Sequence, residues 1–256
     1  MNRLLNKFGY RLAQFLSQTD NEQESVSTCS REDLEASLQK GDILLVDGTS
    51  KISMAIKYIT QSTWSHAALF IGKNKTSSGK HTTVPSLIEA DVTEGVRVVS
   101  LNNYCHMHTR ICRPVGLSTE DIEKVINFMT SKIGYKYDLK NIFDLARYLI
   151  QSPPVPSKHR RRLLALGSGD PTKAICSSLI AQAFQSVQYP ILPVIDVSDS
   201  SSRAVKNTQE EIMHIRHHSL FAPKDFDVSP YFEIVKPSIQ NGFDPDSLKW
   251  ASEDKE

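Results

Sequence analysis

Cys176 stands at the head of the apolar run Ile175-Cys176-Ser177-Ser178-Leu179-Ile180-Ala181-Gln182-Ala183-Phe184, which follows the segment Gly167-Ser168-Gly169-Asp170-Pro171-Thr172 after Lys173 and Ala174. The Gly- and Pro-containing stretch reads as a loop and the apolar run as a helix, so the thiol falls at a helix start. Unpaired N–H groups and the positive end of the helix dipole both favour thiolate over thiol at that position. Far upstream, His66 opens the β-type run His66-Ala67-Ala68-Leu69-Phe70-Ile71-Gly72, and Glu89 lies between the two in Leu87-Ile88-Glu89-Ala90. Whatever the fold, the chain order is His, Glu, Cys.

Those three residue types perform one chemistry together. An imidazole takes the thiol proton, a carboxylate orients the imidazole and stabilises its charged form, and the sulfur attacks a carbonyl. Singly, each has an ordinary structural role: a buried Cys is a small core hydrophobe, a His at a strand start is a satisfied polar end, and a Glu on a strand faces water. The combination points to catalysis.

With 256 residues the chain is long enough for one domain with extensions, and 30 basic against 29 acidic residues leave no global charge for nucleic acid. Cys29, Cys105, Cys112 and Cys176 are too few and too irregularly spaced for a disulfide scaffold or a zinc ribbon, which fits a reducing compartment. No apolar run approaches the roughly 20 residues of a spanning helix. The start of the chain has no continuous apolar centre of the signal-peptide kind. There, Leu4, Leu5, Phe8, Leu12, Phe15 and Leu16 recur at helical spacing, with Arg3, Lys7 and Arg11 every fourth position. Such a helix packs on the domain or a second subunit, or lays its stripe on a membrane.

Three regions are expected: an amphipathic helix and linker over 1–30, a main domain over 31–240 and a charged tail over 241–256. Within the domain, Ile43 to Val46 reads as a buried strand, Ile52 to Ile59 as a short helix, and Ser86 to Leu101 as a hairpin closed by Gly95. Ser118-Thr119-Glu120-Asp121 is a capping box that opens a helix ending at Gly134. A further helix is expected over 138–150, stopped by Pro153 and Pro154. The basic cluster Lys158-His159-Arg160-Arg161-Arg162 is either a solvated patch or a holder of a substrate phosphate or carboxylate, with Arg160 the candidate. Residues 196–217 read as a polar excursion, and Tyr231 to Val235 as a last strand. His106 and His108, with His214, His217 and His218, have no spacing that completes a metal site, and no cofactor is expected.

Five separated blocks resemble the permuted papain-like cysteine hydrolases, the YiiX/YaeF-like branch of the NlpC superfamily. They are Gly41-Asp42-Ile43-Leu44-Leu45-Val46, Trp64-Ser65-His66-Ala67-Ala68-Leu69, Leu87-Ile88-Glu89-Ala90 with Gly95-Val96, Gly134 to Asp138, and Ile175 to Ala181. Papain-like enzymes run Cys first and His later, so the reversed order resembles a circular permutation of one site. The resemblance implies an α+β, circularly permuted papain-like fold, with an antiparallel barrel-like sheet packed against helices. It implies Cys176 as nucleophile, His66 as general base and acid, and Glu89 as the third polar residue, with Asp91 a rival. An oxyanion hole would use the Cys176 N–H and a second donor, for which Tyr137 is a candidate, a packed aromatic being its other reading. Trp64 and Asp138, within the resembling blocks, join Tyr137 and Arg160 as candidate substrate-binding residues. The Asn-Cys-Glu-His-Phe block of the lecithin:retinol acyltransferase relatives is absent.

The expected function is therefore a cysteine hydrolase or acyltransferase that cleaves an amide or ester through an acyl-enzyme, on a lipid, acylated protein or small peptide. The expected location is the cytoplasm, with peripheral membrane contact through residues 1–16. The competing function is a non-catalytic, membrane-associated binding module that keeps the fold. Labelling by an iodoacetamide-type probe separates the two.

Overall fold

The structure is a computed structural model that describes residues 27, 29–75, 83–91, 93–136, 176–197, 211–214 and 221–247. The expected helices over 1–16 and 138–150, the basic cluster with Arg160, Tyr137, Asp138 and the last nine residues lie outside them.

The described residues form eight strands: β1 (Ile43–Val46), β2 (His66–Lys75), β3 (Thr83–Asp91), β4 (Gly95–Ser100), β5 (Thr109–Pro114), β6 (Val194–Val197), β7 (Glu211–His214) and β8 (Phe232–Val235). Six make one antiparallel sheet in the order β4-β3-β2-β1-β5-β8. The segment 196–217, read as a polar excursion, instead contributes the end of β6 and all of β7, paired as a separate two-stranded ribbon. Helices are α1 (Arg31–Ser37), α2 (Lys51–Thr60), α3 (Thr119–Ser131), α4 (Cys176–Ser186), and the short turns α5 (Lys224–Asp227) and α6 (Pro237–Gln240).

Every residue of β1 is buried, because the sheet is covered on both faces. Strand alternation divides the core. Ile43, Leu45, Ala67, Leu69 and Ile88 face α3 and α4 and meet Val125, Met129, Leu179, Ile180 and Phe184. Leu44, Val46, Ala68, Phe70 and Leu87 face the other way, against Leu34, Leu101, Tyr104 and Ile111. Helix α3 begins at the expected capping box: Ser118 Oγ accepts from the Asp121 N–H at 3.1 Å and donates to the Asp121 carboxylate at 2.8 Å. Gly95 closes the β3–β4 hairpin at φ +81°, and a Cβ there would stand 2.2 Å from the Tyr135 carbonyl oxygen. Turn geometry and close approach both demand glycine. No helix among the described residues is long and apolar enough to cross a membrane.

Candidate active site

The site forms where the first residue of β2, the end of β3 and the first turn of α4 meet. His66 starts β2 opposite Val46, the last residue of β1. The approach to it is fixed: the Ser65 N–H donates to the Val46 carbonyl at 3.1 Å, and Ser65 Oγ accepts the Gly48 N–H at 2.9 Å. Glu89 shares the face of Leu87 on β3 and is buried in spite of its charge. Cys176 is the first residue of α4, whose apolar face locks into the core. Ser177 Oγ, the next side chain, donates to the Phe221 carbonyl at 2.8 Å.

His66 Nε2 and Glu89 Oε2 are 2.7 Å apart, and the Cys176 thiol is within hydrogen-bonding reach of the same imidazole. With Nε2 engaged by the carboxylate, Nδ1 is the ring nitrogen left for sulfur. Burial opposes a charged imidazole, but the charge and hydrogen bond of Cys176 and then those of Glu89 outweigh it. They hold the His66 pKa well above its ordinary 6.5. Burial likewise works against the Glu89 carboxylate, yet its bond to His66, the His66 charge, the Tyr104 hydroxyl and Arg97 bring its pKa from 4.5 down to about 2. Burial pushes the thiols of Cys29, Cys105 and Cys112 up, the last of them far up in the core. Those three are held as thiols.

Two residues of the site were not among the sequence candidates. Arg97 lies directly opposite Glu89 on β4 and donates through Nε to Oε1 at 2.9 Å, while its other nitrogens meet Glu94 and, at 3.9 Å, Asp91. Counting outward from the Gly95 turn, with Asp91 opposite Gly95, puts Arg97 opposite Glu89, so the sequence held that signal. Tyr104 donates its hydroxyl to Glu89 Oε2 from the chain that follows a 3-10 turn over Leu101–Asn103. No periodicity marks it.

Asp91 has other work. Its Oδ1 accepts from the Thr93 N–H at 2.8 Å, the Thr93 hydroxyl at 2.6 Å and the Glu94 N–H at 2.8 Å, which caps the hairpin. Glu89 is the carboxylate on the imidazole. Trp64, expected at the substrate, is corrected: it is 3% exposed and its indole N–H donates to Asp227 at 2.9 Å. The Arg110 guanidinium sits 5.0 Å above its ring and His108 stacks edge-on at 5.1 Å. A large aromatic just before β2 satisfies its N–H inside the core and braces the approach to His66.

Cys176, His66, Glu89, Arg97 and Tyr104 line one cavity of about 260 Å³, walled further by Val46, Gly48, Ile52, Ser53, Ile56 and Met107. Among the described residues, no group of three or more His, Cys, Asp or Glu side chains is arranged to hold a metal ion.

Residues 37–148, which carry His66, Glu89, Arg97 and Tyr104, match the family of permuted papain-like amidase enzymes typified by YaeF and YiiX; Cys176 lies beyond the matched stretch. No curated protein matches the chain. One solved structure similar to it is described as metalloprotein yiiX from Escherichia coli O157:H7, at 19% identity and a TM-score of 0.48. The alignment covers 78% of this chain and 97% of that one. The matched segment holds the His-bearing and Glu-bearing strands, and over residues 37–148 the chain is similar to the permuted papain-like amidase family.

Proposed function

We propose that the protein is a thiol hydrolase that cleaves an amide or ester through an acyl-enzyme, with Cys176 as nucleophile, His66 as general base and acid, and Glu89 orienting His66. The observation that carries this reading is the continuous contact from the buried Glu89 through the His66 ring to the Cys176 thiol, at the wall of a cavity. It is supported by the amidase family that residues 37–148 match.

In the first step the thiol proton resides on His66 and the sulfur adds to the substrate carbonyl carbon, sending the C=O electron pair onto oxygen. The N–H of Cys176, among the N–H groups that a helix start leaves without intrahelical partners, is a donor for that oxyanion. As the C–N or C–O bond breaks, the imidazolium gives its proton to the departing amine or alcohol. Water then loses a proton to His66 and adds to the thioester, and the sulfur leaves to recover its proton. A cavity of about 260 Å³ is smaller than sites that enclose a whole drug-sized ligand, so it suits the reacting group of a larger molecule. That agrees with a lipid, acylated protein or small peptide presented from outside, and the basic, amphipathic pattern of residues 1–16 suits presentation at an anionic membrane.

The test is mass-mapped alkylation by iodoacetamide at neutral pH, with acyl-amide and thioester probes offered in parallel. Cys176 is expected to label first, His66→Gln to slow that labelling, and Cys176→Ala to leave no acyl adduct. First labelling at Cys29 or Cys105, with Cys176 untouched, would return the protein to the class of binding modules.

A further inference from the structure

Glu89 is held at both carboxylate oxygens, and the two holds differ in kind. Oε1 takes Arg97 Nε at 2.9 Å; Oε2 takes both His66 Nε2 at 2.7 Å and the Tyr104 hydroxyl. Arg97 is one-third exposed and shares its charge with Glu94 and Asp91, so its grip on Glu89 is divided and open to salt. Tyr104 is 8% exposed, neutral, and packed with Leu87, Val99 and Leu101 on the sheet face that carries Glu89. Its ring also lies 6.1 Å from the His66 ring, tilted by 34°.

We propose that Tyr104 is a positioning residue for the His66–Glu89 pair, its hydroxyl fixing the one carboxylate oxygen that the imidazole needs and its ring limiting how the imidazole turns. The proposal rests on the reading of Cys176, His66 and Glu89 as the reacting set. The geometric reason is the shared acceptor. Held by Arg97 alone, the carboxylate pivots about Oε1 and carries Oε2 out of line with Nε2. With the hydroxyl on Oε2 that rotation is blocked. The backbone supports the hydroxyl's placement: the Tyr104 N–H donates to the Leu101 carbonyl at 3.0 Å, and Ser100 Oγ caps the preceding turn by accepting the Asn102 N–H at 3.3 Å. The hydroxyl thus arrives from a turn stitched to the far end of β4, at the opposite end of the hairpin from the Gly95 turn beside which Glu89 and Arg97 pair.

The experiment follows the rate of Cys176 alkylation by iodoacetamide against pH and salt in the intact protein, in Tyr104→Phe, in Glu89→Gln and in the double variant. Tyr104→Phe keeps the ring and removes the hydroxyl. It is expected to slow alkylation at neutral pH on the order of ten-fold, leaving one buried carboxylate oxygen short of a donor. It should move the alkaline limit of reactivity to lower pH and make the rate fall with added salt. In the Glu89→Gln background the same change should cost little more, because the hydroxyl acts through that carboxylate.

A Tyr104→Phe profile that superimposes on the parent, an alkaline limit that moves upward, or an equal loss in the Glu89→Gln background overturns the proposal. If Tyr104→Phe does not fold, the parent protein still decides. A parent rate that changes less than about two-fold between low and molar salt supports a neutral, buried hold, and a steep fall with salt assigns the hold to Arg97 and overturns it. Should Cys176 itself not label, or should His66→Gln leave its rate unchanged, the functional reading fails first. Those results are distinct from a Tyr104→Phe variant that matches an active, His66-dependent parent.

Discussion

Two buried carboxylates, each with a guanidinium beside it, divide the molecule into a structural half and a reactive half. Asp42 is 1% exposed and closed off: Arg113 reaches both its oxygens, at 2.9 and 2.7 Å, and the Gln39 N–H adds a third bond at 2.8 Å. Arg113 also donates to the Ser37 carbonyl at 2.6 Å, so the pair ties the end of α1 to the sheet. Glu89, 3% exposed, has its guanidinium on one oxygen only. The other oxygen faces an imidazole that itself reaches a thiol. Burial dominates at Asp42, whose pKa is raised, whereas at Glu89 the imidazole and its supports win and the pKa falls. A buried ion pair becomes chemistry when one of its oxygens is kept for a group that can carry a proton.

The contrast breaks most visibly at Cys176 and Arg113. Cys176→Ala is expected to lower turnover by at least about 10³-fold while the melting temperature stays near the parent's, since one sulfur at a helix start is removed. Arg113→Leu should do the reverse: it strands Asp42 and costs about 3–5 kcal/mol of stability, while the alkylation rate of Cys176 in the folded fraction is unchanged. Paired melting and labelling measurements check both. A slow Cys176 in Arg113→Leu would mean that the two halves are one network.

Glu89→Gln sharpens the comparison, because it keeps the shape and removes the charge. A loss of roughly 10²–10⁴-fold in turnover is expected. The Glu89 charge helps to keep His66 protonated, so without it His66 gives up its proton at lower pH. The alkaline limit of activity should move down accordingly, as a rate-against-pH series would read. The equivalent Asp42→Asn should leave that limit in place.

In acid the two carboxylates pull in opposite directions. The folded protein keeps Glu89 ionised down to about 2, while the unfolded chain protonates it from 4.5 downward. Its contribution is therefore full above pH 4.5 and lost as pH falls from 4.5 to 2, and is worth about 3 kcal/mol. Asp42, with its folded pKa raised above 3.8, contributes in full below 3.8 and loses that contribution as pH rises through the folded value. As pH is lowered from about 5 to 3, urea midpoints should fall in the parent, flatten or reverse in Glu89→Gln and fall more steeply in Asp42→Asn. A Glu89→Gln curve parallel to the parent's would show that Glu89 is not held ionised in the folded state.

The division also marks what the sequence made legible. Local signals located most of the elements: the hydrophobic run of β1, Gly95 closing a hairpin, and Ser118 with Asp121 capping α3 all act over a few residues. The three residue types proposed to react were readable as candidates because Cys176 heads a helix and His66 a strand, and the structure brings them to one cavity. The choice between Glu89 and Asp91 was not readable, since it depends on which carboxylate the Thr93 turn consumes. Trp64 was misplaced because its partner Asp227 lies 163 residues away, and burial by a distant element leaves no local trace. Tyr104 escaped for the same reason, its hydroxyl reaching Glu89 across 15 residues and a 3-10 turn. The polar stretch 196–217, which supplies β7 and the end of β6, lacked the apolar alternation by which strands are recognised.

The smallest expected effect lies at Gly48, on the cavity wall between the two halves. A Cβ there would stand 2.4 Å from Ser53 Oγ and 2.9 Å from Ser65 Oγ, and both hydroxyls have partners to lose. Ser53 Oγ meets Ser50 Oγ at 2.9 Å at the start of α2; Ser65 Oγ accepts the Gly48 N–H and donates to the Val46 carbonyl at 3.3 Å. The obstacle is steric, and small side chains can swing aside, so Gly48→Ala should cost only about 1–3 kcal/mol. Ser65 immediately precedes His66, so the displacement passes along the chain to the imidazole. A drop of about 2–5-fold in Cys176 alkylation is expected, with Ser53→Ala in the same molecule recovering part of it by clearing the closer clash. If Gly48→Ala lowers the melting temperature and leaves alkylation at the parent rate, the wall and the imidazole are mechanically separate, and the reactive half ends at β2.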